Sequence, residues 1–71
     1  MSEDIKLEYF KELYKEYPEL LDPRQVKEML NNKIGTNKLY RLLKAKEIFN
    51  RKIGNNYIIP KICVIEYLMK N

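Results

Sequence analysis

The chain has 71 residues, with 14 Lys+Arg against 10 Asp+Glu, a formal net charge of +4, one Cys, no His and no Trp. This length fits one small domain with a compact core. The single Cys excludes a disulfide framework and every multi-Cys zinc site, and the lack of His removes the usual metal ligand and acid–base group. No metal, cofactor or catalytic residue is therefore expected. No apolar run approaches the ~20 residues that cross a bilayer, and the acidic start Met1-Ser2-Glu3-Asp4 lacks the basic and apolar regions of a signal peptide. The expectation is a small intracellular protein with no membrane association.

The charge is divided along the chain. Residues 1–22 carry three lysines against seven carboxylates, a net −4, whereas residues 23–71 carry eleven cations against Glu28, Glu47 and Glu66, a net +8. So dense a positive segment is an electrostatic footprint for a polyanion, although Lys-rich surfaces also serve solubility.

In chain order, residues 3–17 read as an amphipathic helix. Ile5, Tyr9, Leu13 and Tyr17 recur every four residues, with Phe10 and Tyr14 beside them. Ser2 suits the N-cap, Glu3 and Asp4 suit the positive end of the helix dipole, and Pro18 stops the pattern. So aromatic a face is expected to pack on the rest of the domain or on a partner. Leu21-Asp22-Pro23-Arg24-Gln25-Val26 is the sharpest local signal. Asp22 is an N-cap, Pro23 fits the first helical position, Gln25 completes a capping box, and Leu21 with Val26 forms a hydrophobic staple. A helix from Pro23 to about Asn31 follows, with Val26, Met29 and Leu30 inward. The run Asn31-Asn32-Lys33 is turn-prone, Ile34 is expected to be buried, and Gly35 permits a tight backbone.

A third helix is expected from about Thr36 to Lys46. Leu39, Leu42 and Leu43 face inward, and Asn37, Arg41 and Lys44 stand on the opposite face at i, i+4 and i+7, with Lys38 and Tyr40 alongside. The pattern then changes to strand. Residues 48–53 and Tyr57-Ile58-Ile59 flank the tip Gly54-Asn55-Asn56, a hairpin signal in which Gly supplies the positive φ of a primed turn. After Pro60 a last helix runs to about Met69, with Ile62, Ile65 and Leu68 in one row and Val64 adjacent.

The fold class expected is mainly α with a small β-hairpin: a winged helix-turn-helix preceded by an extra N-terminal amphipathic helix. The expected division is residues 1–20 for the acidic helix and residues 21–71 for the binding domain. The second helix of such a motif enters the major groove of a DNA duplex. There Asn can pair with adenine and Arg with guanine, so Asn37 and Arg41 are the candidates for reading bases. Lys38 and Lys44 meet phosphates, with Thr36 and Tyr40 on the same helix. Arg51 and Lys52, beside Asn55 and Asn56, would let the wing follow the backbone or enter the minor groove.

From Leu21 onward the sequence resembles the excisionase-type helix-turn-helix family of small phage and mobile-element DNA-binding proteins, related to MerR-type winged domains. The residues that carry the likeness are Leu21 to Val26 with Met29-Leu30 for the first helix, Thr36 to Lys44 for the recognition helix, Lys52 to Lys61 for the wing, and Glu66-Tyr67-Leu68 for the closing helix. It differs in three places. Lys27 stands where the family has a small residue, the turn through Asn31 to Lys33 is about two residues longer, and the Gly after the recognition helix is replaced near Lys46. The resemblance implies sequence-specific binding to double-stranded DNA in the bacterial cytoplasm or a phage-infected host, as an architectural factor acting with an integrase or recombinase. It equally admits a small transcriptional regulator. The N-terminal helix, outside the family core, is expected to meet an integrase or a second copy.

Three rival classes stand beside that reading. A protein–protein adapter on a winged scaffold would not need Arg41, Lys44 or Arg51. A single-strand or RNA binder would stack bases on Tyr40 and Tyr57, the aromatics near the basic elements. An enzyme would have to use Cys63, which lacks a His partner and suits a packing role better.

Overall fold

The computed structural model describes residues 3–70. Four helices and a three-stranded antiparallel sheet follow one another as α1 (Glu3–Leu13), β1 (Leu20–Leu21), α2 (Pro23–Met29), α3 (Thr36–Lys44), β2 (Arg51–Ile53), β3 (Asn56–Pro60) and α4 (Lys61–Lys70). The expected cap at Ser2 lies outside the described residues. Among these residues no helix is long and apolar enough to cross a membrane.

Helix α1 is shorter than its sequence pattern, ending at Leu13 rather than Tyr17, and it turns a different face inward. Leu7, Phe10, Tyr14 and Tyr17 pack on the core, while Ile5, Tyr9 and Leu13 are each more than half exposed. Two apolar rows compete on this segment. The inner one wins because it continues through the turn at residues 14–17, where the Tyr14 hydroxyl donates to the Met29 carbonyl at 3.1 Å and the three rings Phe10, Tyr14 and Tyr17 pack in series. That row lays α1 against α4.

The α2 cap forms as its residues dictate. The Gln25 amide N–H donates to Asp22 Oδ1 at 2.9 Å, and the Asp22 amide donates to Gln25 Oε1 at 3.0 Å. The helix stops at Met29 because Asn31 and Asn32 both take positive φ (57° and 56°), the left-handed conformation that Asn tolerates best after Gly. These two residues make the longer turn, and Gly35 does no such work. It sits at φ −74° as the N-cap of α3, and Ile34 is half-buried. Leu39, Leu42 and Leu43 then join Val26 and Met29 in the core.

Strand β1 had no sequence signal beyond two leucines. It forms because β3 offers its free edge, pairing Leu20 with Pro60 and Leu21 with Ile59, so the sheet order is β1-β3-β2. The expected domain boundary at 20/21 falls inside this strand. On the other edge Arg51, Lys52 and Ile53 pair with Ile58, Tyr57 and Asn56. The two-residue loop Gly54-Asn55 closes the hairpin, with Gly54 at φ 61° in the first central position, as a primed turn of the second type requires. The expected strand over residues 48–53 shrinks to three residues. Ile48 is fully buried ahead of it, and Asn56 belongs to β3 rather than the tip. In α4 the buried residues are Lys61, Val64 and Ile65, with Leu68 half-buried and Ile62 on the exposed side, which replaces the expected row through Ile62.

Candidate nucleic-acid interface

Helix α3 gives its three leucines to the core, so the opposite face carries Asn37, Arg41 and Lys44 in a row, all exposed. These three line one shallow depression together with Tyr40. Lys38 is exposed but stands on the far flank of the helix from Tyr40, outside the depression. Thr36 is also exposed, and its hydroxyl accepts a hydrogen bond from Lys27 Nζ at 3.3 Å. The large residue at position 27 thus stays at the α2–α3 junction by reaching across to the start of α3.

The hairpin is joined to this face by aromatic rings. Tyr40 and Tyr57 lie 5.4 Å apart between centroids at 56°, and Lys52 Nζ stands 5.4 Å from the Tyr57 centroid. The register explains why. Directly opposed residues share a face, so Lys52 and Tyr57 lie on the inner side with Ile59 and Leu21, towards α3. Arg51, Ile53, Asn56 and Ile58 lie on the outer side. The structure therefore puts Lys52 on the Tyr57 side of the hairpin, the side that meets α3 at Tyr40, and sets Arg51 and Asn56 on the reverse of the sheet. Asn55 sits in the turn itself.

The segment from Thr36 to Lys52 holds six cations against Glu47 alone, a net +5. Three of those cations also have structural roles. Arg41 and Lys44 stand in the last turn of α3, where they suit the negative end of its dipole. Lys46 takes φ 61° at the exit of α3, a left-handed conformation that Gly adopts most easily, and its ammonium donates to the Asn50 carbonyl at 2.9 Å.

Sequence reasoning missed the residue that fixes the passage from α3 into the hairpin. Asn50, 2% exposed, donates through Nδ2 to the Leu43 and Ile48 carbonyls, both at 2.8 Å. It looked like a strand residue between Phe49 and Arg51, and no periodic signal marks a buried side-chain amide. Lys61, which the sequence offered only as the last residue of the stretch likened to a wing, is the second such residue. It is 8% exposed, and its ammonium donates to the Tyr17 carbonyl at 2.8 Å and the Tyr14 carbonyl at 3.3 Å, with Glu19 Oε1 at 3.6 Å. It ties the turn after α1 to the start of α4, away from the basic face. Cys63 is half-buried, and burial followed by the nearby Glu66 pushes its thiol above the usual range, which disfavours the thiolate.

No protein-family model, curated protein or solved structure matches this chain. The assignment of the basic face thus rests on its own geometry.

Proposed function

We propose that the chain is a sequence-specific double-stranded DNA-binding protein of winged helix-turn-helix design, with an excisionase-like architectural role beside an integrase. The observation that carries the reading is the exposed row of Asn37, Arg41 and Lys44 around one depression with Tyr40, whose ring meets Tyr57 of the hairpin beneath Lys52. A helix of nine residues fits the width of a major groove, and its exposed amide and guanidinium can pair with base edges. Lys44 and Lys52 flank those groups at positions suited to phosphates. The adjoining hairpin is short, ends in a tight turn, and can reach the next groove along the duplex.

Selecting duplexes from a random pool at near-physiological salt tests the reading. A defined motif is expected, with direct repeats for an architectural array. Inverted repeats would instead favour a small transcriptional regulator using the same surface. Arg41→Ala should cost ~1–3 kcal/mol on the selected site and relax preference at one base pair. Recovery of no motif, with equal weak binding to every duplex, would overturn the proposal.

A further inference from the structure

The molecule exposes two apolar surfaces, and they differ in charge. The first is the outer row of α1, Ile5, Tyr9 and Leu13, each more than half exposed and opposite the row that packs on α4. Glu8 and Glu12 flank it on one side and Lys6 on the other. The second is the outer face of the sheet. Strand register puts Leu20, Pro60, Ile58 and Ile53 on that face with Arg51 and Asn56. Leu20 is 60% and Ile53 59% exposed, and Ile58 and Pro60 are half-buried.

We infer that these surfaces are two halves of one contact, so that α1 of one copy docks across the outer sheet face of a second copy. The dimensions agree. The α1 row is about 12 Å long at 1.5 Å per residue, and the apolar strip crosses three strands on a diagonal of roughly 15 Å. The charges agree as well, because Glu8 on the flank of the α1 row can face Arg51, Glu12 being held by Lys15 at 2.9 Å. Pairing α1 with another α1 in antiparallel fashion brings the two Glu8 flanks together and is disfavoured. The contact is heterologous, with different patches on the two copies, and it leaves the α3 face open. It stands independently of the DNA reading.

Only three or four side chains on each side take part, fewer than in an interface of standard size. The expected affinity is therefore weak, with Kd on the order of tens to hundreds of micromolar. Sedimentation equilibrium of the full chain should show an average mass that rises above the monomer between about 10 µM and 1 mM. Two variants locate the contact: Tyr9→Ser with Leu13→Ser breaks the helix row, and Leu20→Thr with Ile53→Ser breaks the sheet face. Each alone should stay monomeric, with an unchanged far-UV circular dichroism spectrum. Mixed, they should form a one-to-one complex, because each supplies the surface the other lacks. A dilution series of the unmodified chain by NMR gives a second reading, in which amide shifts should move on both patches together. Either variant still associating by itself, or a mixture that stays monomeric, overturns the inference. So does an unmodified chain that is monomeric throughout, which would leave the α1 row to a different protein.

Discussion

Replacing Asn50 tests how the basic face is held in place. Its side-chain amide makes two 2.8 Å hydrogen bonds inside the core, to the Leu43 and Ile48 carbonyls. The Leu43 carbonyl also accepts from the Lys46 amide at 3.2 Å, so it keeps one donor when Asn50 is truncated. The Ile48 carbonyl loses the donor that Asn50 supplies. Two net hydrogen bonds contribute about 1 kcal/mol each, and stripping a buried carbonyl adds a desolvation penalty, which together give a loss of roughly 2–3 kcal/mol for Asn50→Ala. A domain of this size has about 4–10 kcal/mol in all, and the loss corresponds to a melting temperature lower by about 10–20 °C. Asn50→Asp is the sharper variant. It keeps the shape but offers oxygen to two oxygens, so it should be at least as damaging as Ala despite the neighbouring Lys46. Urea unfolding followed by circular dichroism measures both. A loss below about 0.5 kcal/mol for either variant would refute the reasoning, since the net value of the two hydrogen bonds alone exceeds it.

Further outcomes follow from the same geometry. On the proposed DNA-binding reading, Lys52→Ala should reduce the salt slope by about one unit, and Arg51→Ala should leave it nearly unchanged because that side chain lies on the reverse of the sheet. Equal slopes for the two variants would show that the hairpin meets DNA on both faces. Lys61→Met should lower stability by about 1–2 kcal/mol, since the Tyr17 carbonyl loses its ammonium donor whereas the Tyr14 carbonyl keeps the Tyr17 amide at 3.0 Å. An unaltered urea midpoint would show that solvent replaces the ammonium without loss. Stability should also fall at alkaline pH. Burial raises the Tyr14 phenol above its usual 10.0, helped by Tyr17 and Tyr9, and burial with Glu28 does the same for Tyr17. The unfolded chain releases these protons first, so their stabilisation is complete below pH 10 and is lost as pH climbs through the raised folded values. Tyr14→Phe should flatten that decline, and a decline of the same steepness would count against it.

Local chemistry settled much of the architecture in advance. Asp22, Pro23 and Gln25 are enough to start α2, the three leucines of α3 choose its buried side, and Gly54 between β-prone runs makes the hairpin. The outward row Asn37, Arg41 and Lys44 follows from the same 3.6-residue period. These features depend on residues a few positions apart, which one sequence states directly.

What the tertiary structure decided involves partners far apart in the chain. Two apolar rows were available on α1, and packing against α4 with the Tyr14 hydroxyl on Met29 selected Leu7 and Phe10 over Ile5 and Tyr9. Strand β1 exists only because β3 lies beside it, and Lys61 is buried only because the turn after α1 presents carbonyls to its ammonium. The two neighbours Arg51 and Lys52 are alike in sequence, but strand alternation sends one to each face of the sheet, and the Tyr40–Tyr57 contact ties the Lys52 side to α3. A polar or charged residue can be buried wherever the fold supplies its hydrogen-bond partners, and the sequence around Asn50 and Lys61 does not say where those partners will be.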